Sequence, residues 1–431
     1  MSKPNSNNDR DQLLVNDVQK KLPPLRADIE MIPVNRDEKE LIYFHDPQGY
    51  LVKPFVLDKQ IAMLLPMLNG QYSIRDIGEE LKRHGNEVEE QQLLDFFRQL
   101  DSARLLLSPW FRHYKTEVEE HFEKAEVRPA ACAGLSYPYD ENELRKMLDT
   151  AFSTNGADAG GKGRIKALYA PHIDPRIGLD AYVGAFRPLT GLKPARVVML
   201  ATSHYAGMYH PVYDGKPFIV TRKSFETPLG VVSVDQKTVD LLESKAGDTG
   251  CSMQDRAHRN EHSIELHLLF LQYIWSHSFE VVPLLVGSLE EMFYKKDGDI
   301  GQKVDAMASL LRDQFDKDDD TLFLISGDLA HVGKKFGDRE PASSFFEEVK
   351  YFDRTFMEHA AEGKEEKLLS LIGDDYDRYR ICGFPPLFTA LSALTDVSGT
   401  VTGYELWDER EQESAVTYGS LLYRQTPEAP R

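Results

Sequence analysis

Residues 195–205 read ARVVMLATSHY, an apolar run from Val197 to Ala201 that stops abruptly at Thr202, Ser203 and His204. Two other segments repeat the pattern. Residues 164–174, RIKALYAPHID, run largely apolar into His172 and Asp174, and residues 321–331, TLFLISGDLAH, run into Ser326, Asp328 and His331. A fourth run, VVPLLVG at 281–287, ends at Gly287 without a chemical group. Short Val/Ile/Leu-rich runs that are apolar on both faces and separated by helical stretches are the pattern of interior strands in a mostly parallel sheet covered by helices. The expected fold class is therefore α/β, with a mostly parallel central sheet covered by helices. In such sheets ligands bind beyond the carboxyl ends of the strands, where all three polar endings fall.

Imidazole is the commonest neutral metal ligand and the side chain whose proton moves near neutral pH. Three histidines in the same placement therefore suit metal binding, proton transfer or both; the bland alternative is that each ring caps a helix or satisfies a loop carbonyl. Two further segments aim at the same cleft. In NEHSIELHLLFLQYI (260–274), Asn260 is the expected helix cap, and Glu261 and His262 fall in the first turn of a helix otherwise almost wholly apolar. A helix buried on most faces must carry its polar start to a cleft, and His262 and Glu265, one turn apart, share a face. His267 reads as a packing residue. In YRICGFPPLFTALSAL (379–394), Cys382 is either a small buried hydrophobe or, as a thiolate, a third metal ligand.

The chain has 431 residues, enough for two to four domains at roughly 100 to 200 residues each. With 51 Lys plus Arg against 70 Asp plus Glu, its net charge of −19 disfavours nucleic acid and anionic membranes as partners. The opening MSKPNSNNDRDQLL lacks the apolar stretch of a secretory signal, and nowhere is there an apolar run of the roughly 18 residues a membrane helix needs. Three cysteines, Cys132, Cys251 and Cys382, argue for reduced thiols rather than a disulfide framework. The expectation is a cytoplasmic protein.

Residues 1–24 are polar and unperiodic and read as a floppy leader. Next, LIYFHDPQGYLVKPF (41–55) reads as two strands about the Asp46-Pro47-Gln48-Gly49 turn. Helical patterns follow, capped at Asp58 and Ser73 and then running through Leu93, Leu94, Phe97 and Leu100. This small α+β module, 25–112, resembles the PqqD-like winged-helix modules, and that resemblance implies recognition of a peptide substrate's leader. A generic winged helix used for packing is the alternative. The charged stretch 113–126 reads as a solvated helix or linker, and a second domain is expected over 127–425.

RPAACAGLSYP (128–138), APHID (170–174), ATSHY (201–205), FETPLGVVSVD (225–235), EHSIELHLLFL (261–271), SGDLAHVG (326–333) and ICGFPPLFTAL (381–391) together resemble the Memo family, including the proteins called AmmeMemoRadiSam system protein B, which are related in fold to class III extradiol dioxygenases. The resemblance implies an α/β/α sandwich and a pocket with a redox metal held by His172, His204 and Cys382, with Asp328 and His331 beside them as catalytic groups. Asp174, Tyr205, Glu261 and His262 become candidates for binding substrate. Relatives that carry a second histidine after the one in ATSHY have it where this chain has Tyr205. Where the dioxygenases place a metal-binding carboxylate this chain offers Cys382, a softer donor set that accepts iron(II) first, and copper or zinc as well. The activity so implied is that of an iron-dependent oxidoreductase with His331 as general acid/base oriented by Asp328, acting on an aromatic or peptide-linked substrate. Radical-SAM and AmmeMemo companion proteins are implied as partners. The competing reading is a non-catalytic peptide- or metal-binding protein on a dioxygenase-like fold.

Overall fold

The computed structural model describes residues 14–36, 39–51, 53–153, 163–209 and 211–426. It divides into two units, 1–124 and 125–431.

In the first unit, β1 (Glu30–Arg36), β2 (Lys39–His45) and β3 (Phe55–Asp58) form an antiparallel sheet in the order β1-β2-β3. The turn at Asp46 follows β2, but the second strand begins only at Phe55, the last residue of the expected run, and β1 is an addition to the expected hairpin. Helices α1 (Ile74–Arg83), α2 (Glu90–Ser102) and α3 (Pro109–Lys124) follow. Ser73 starts α1 with a reciprocal capping box to Asp76, and Gly85, at φ +81°, follows its end. Asp58 caps only a four-residue helix, Lys59–Ala62, because Pro66 diverts the chain into a 3₁₀ turn.

Two boundaries differ from expectation. Of the leader, residues 1–13 lie outside the described residues, but 14–24 are anchored: Leu14 and Leu22 are buried, and the Leu22 amide donates to the Tyr72 carbonyl at 2.8 Å. Leu14, Val18 and Leu22, spaced by four, supply the apolar contacts that the polar composition conceals. Likewise the expected solvated helix or linker is mostly α3, which is anchored by buried Phe111, Glu119 and Phe122 and takes the Tyr50 hydroxyl on Glu119 at 2.8 Å, while most of its other charges face outward.

The second unit is built on a 12-stranded sheet among the described residues. Its centre is parallel, in the order β5 (Ile165–Ala170), β12 (Thr321–Ser326), β6 (Arg196–Thr202), β11 (Glu280–Val286) and β9 (Gly230–Val234). β15 (Ser414–Gln425) extends it antiparallel to β5, flanked by β13 (His331–Gly333) and β14 (Val397–Glu409). At the far end lie β8 (Ser224–Thr227) and β4 (Val127–Arg128), with β7 (Phe218–Val220) and β10 (Cys251–Ser252) branching from β11. The central strands are buried along nearly their whole length, as runs apolar on both faces must be. Helices α4 (Pro175–Phe186) and α5 (His262–Ile274) pack together and against the sheet; α7 (Phe384–Ala393) also packs on the sheet, and α6 (Asp299–Leu311) packs on α7. β5, β12 and β6 are neighbours, so the three polar strand ends are brought side by side.

Candidate metal centre

His172 follows β5, His204 follows β6, and Cys382 stands two residues before α7. One ring nitrogen of each histidine and the Cys382 sulfur lie within 4.8 Å of one another. Two glycines make this approach possible. A Cβ on Gly327 would lie 2.1 Å from the Gly383 Cα, and one on Gly383 2.2 Å from the Tyr169 hydroxyl, so only bare backbone lets the Cys382 loop seat against the end of β12.

Each donor is oriented by a partner behind it. His172 is buried; its Nδ1 contacts the Ser326 hydroxyl at 3.1 Å, while its Nε2 lies 3.2 Å from Cys382 Sγ. Burial, reinforced by neighbouring imidazoles, holds its pKa well below the ordinary value, so the ring is neutral. His204 is the most open of the three. Its Nδ1–H donates to Glu261 Oε1 at 2.9 Å and its backbone N–H to Oε2 at 2.8 Å, which leaves Nε2 unused by that carboxylate. Burial opposes its charge, but Glu261 and then Cys382 raise its pKa well above the usual range. Glu261 is buried, which favours its neutral form, yet His204 and His262 draw its pKa down to about 2. Burial pushes the Cys382 thiol up, a rise that His204 partly offsets, and the Asp328 N–H reaches the sulfur at 3.3 Å.

The His262 ring stacks on His204, with centroids 4.6 Å apart, and meets His172 edge-on at 5.0 Å. Burial and the proximity of His204 lower its pKa to about 4. His204, Glu261 and His262 are a second group with donor atoms within 4.8 Å, but Glu261 is already committed to His204. Tyr205 packs against the core with its ring 6.5 Å from His204.

His331 and Asp328 do not form the expected pair. Asp328 Oδ1 accepts the backbone N–H of His172 at 3.0 Å and of Ile173 at 3.3 Å, so it fixes the loop that carries His172. Burial raises its pKa to about 7. His331 instead donates Nδ1–H to the carbonyls of Leu329, 3.0 Å, and Arg380, 3.1 Å. Carbonyls only accept, so the proton sits on Nδ1 and Nε2 keeps its lone pair. Burial, with His204, lowers the His331 pKa to about 4, a neutral ring at physiological pH.

Two smaller readings are also corrected. The cap of α5 is Glu261, whose side chain accepts from the Ser263 N–H, and not Asn260. Glu265 does not share the cleft with His262; it is buried against Arg128, the Tyr137 hydroxyl and the amides of Ala131 and Cys132. The Asp174 carboxylate caps α4 and pairs with Arg176 and Ser136, outside the donor cluster. Ser326 and Arg128 carry no local signal of their role, because their partners are far away in sequence. Beside the centre lies a cavity of about 240 Å³ bordered by Thr202, Ser203, Glu290, Asp377, Arg380 and Cys382.

A family model described as Memo-like protein matches residues 128–422. A MEMO1 family protein of Aquifex aeolicus is 28% identical over 390 residues, covering 88% of this chain and 94% of that relative. One of Thermus thermophilus is 30% identical over 352 residues, with 81% of this chain and 98% of the relative covered. For one of Methanopyrus kandleri the figures are 24% over 314 residues, 69% and 99%. The first two likenesses are too long to lie within 128–422 and take in part of the first unit.

Proposed function

The chain belongs to the Memo-like protein family, and from that premise we propose that it is a metal-dependent oxidoreductase whose ion, iron(II) before copper or zinc, is held by His172, His204 and Cys382. The observation that carries this reading is the convergence of two imidazoles and one thiol within 4.8 Å at the carboxyl end of the sheet. The donor set fits: His172 is neutral, the Nδ1–H of His204 is spent on Glu261, and the Asp328 N–H faces the sulfur, where it favours a thiolate. When bound, a redox ion supplies Lewis acidity and electron transfer to this pocket. His331, with its unprotonated Nε2, takes a proton from a substrate hydroxyl and returns it. An aromatic or peptide-linked substrate suits such a base. The first unit, with its sheet and helices, serves as the reader of a peptide, and radical-SAM and AmmeMemo companions are the corresponding partners.

The test is to count iron, copper and zinc per chain in protein purified without oxygen, beside His172→Ala, His204→Ala and Cys382→Ala. Near-stoichiometric metal lost in all three supports the reading; metal-free wild type, or metal indifferent to the changes, defeats it. The competing reading, a peptide- or metal-binding protein without turnover, draws on the replacement of a carboxylate by Cys382. It requires no oxygen uptake above that of free metal with any phenolic or peptide substrate.

A further inference from the structure

Behind the cluster lies a buried ion pair that none of the proposed chemistry uses. Arg128 and Glu265 are both fully buried and in direct contact. Glu265 also accepts the amides of Ala131 and Cys132, each at 2.8 Å, and the Tyr137 hydroxyl. Arg128 sends Nε–H to the His258 carbonyl at 2.6 Å and Nη2–H to the Glu261 carbonyl at 2.6 Å. Those two carbonyls bracket the turn that enters α5, and the next group along is the Glu261 carboxylate on His204.

We infer that Arg128, held by Glu265, is a positioning residue: it fixes the Glu261 backbone so that its carboxylate holds the His204 ring with Nε2 toward Cys382 and His172. The inference rests on the proposed ligand set. A buried ion pair is a poor device for stability alone, since the cost of desolvating both charges can exceed their attraction and an apolar pair of similar volume often does as well. Its value here is directional. A guanidinium holds three or four acceptors in one plane, whereas a lysine ammonium offers three donors from a single point. Arg128→Lys therefore keeps the charge opposite Glu265 but cannot reach both carbonyls.

The experiment uses full-length protein selectively labelled with ¹⁵N-histidine, with two readouts: the hydrogen-bonded Nδ1–H resonance of His204, recorded without metal, and the affinity for cobalt(II). In Arg128→Lys the resonance is lost to solvent exchange and cobalt affinity falls about 10-fold or more, the scale set by outer-shell partners of metal ligands. Arg196→Lys disturbs another ion-pair network, with Asp235 and Asp318, and leaves both readouts unchanged. Tyr137→Phe, which removes only the hydroxyl on Glu265, gives a smaller change in the same direction and replaces Arg128→Lys should that variant not fold. A folded Arg128→Lys with the wild-type resonance, or an equal change in Arg196→Lys, overturns the inference. Should wild type bind no cobalt, the ligand reading fails by itself and the proton resonance decides the positioning role.

Discussion

Asp328 stores a stability cost that pH reveals. Its carboxyl is buried and its pKa rises from 3.8 to about 7, even though it accepts two backbone N–H groups. A carboxyl whose folded pKa lies above its unfolded one contributes stability that is complete below the unfolded value and is lost as pH rises through the folded one. Each pH unit in that window is worth about 1.4 kcal/mol, so ionising Asp328 costs the metal-free fold about 4 kcal/mol in all, of which roughly 2–3 kcal/mol falls between pH 5 and pH 8. Asp328→Asn keeps an oxygen for the His172 and Ile173 amides and removes the titration. Urea unfolding followed by circular dichroism, with a chelator present, measures both proteins at pH 5 and pH 8. The variant gains roughly 2–3 kcal/mol on wild type between the two pH values, and its stability changes less with pH. Parallel pH dependence in the two proteins would refute the argument, because it would mean that the carboxyl ionises in the fold as readily as in water.

The same geometry fixes two further outcomes. His331→Gln leaves metal per chain unchanged but lowers substrate-dependent oxygen uptake by about 10²- to 10⁴-fold, the range for a lost general acid/base; retained turnover would remove His331 from the chemistry. His267 is fully buried against Tyr182 and Phe186, and neither ring nitrogen has a hydrogen-bond partner among the described residues. His267→Phe therefore raises unfolding stability by about 1 kcal/mol or more, and a marked loss in a denaturant titration would show that the imidazole has a hidden partner.

The central strands are legible in the sequence because each is buried on both faces, and the run of Val, Ile and Leu then records the environment directly. Their order is not. That β12 lies between β5 and β6, bringing His172, Asp328 and His204 together, is decided by crossovers that leave no local trace. The same distinction explains where the site departs from expectation. Asp328 and His331 are three residues apart in sequence, but His331 opens β13, which leaves to pair with Val416 on β15, while Asp328 turns toward His172. His262 and Glu265 share a helical face by counting, yet Arg128, 137 residues away from Glu265, claims that carboxylate for the interior. In the first unit, the Asn- and Asp-rich composition of residues 1–24 conceals three apolar residues at regular spacing.

The central claim is that Cys382 is a metal ligand together with His172 and His204. Cobalt(II) titrated into metal-free protein tests it directly, because a thiolate bound to cobalt produces an intense near-ultraviolet charge-transfer band that imidazole ligands do not. One cobalt per chain with that band in wild type, and cobalt binding without the band in Cys382→Ser, is the predicted result. Wild type that binds cobalt without the band, or a Cys382→Ser variant that keeps it, contradicts the account.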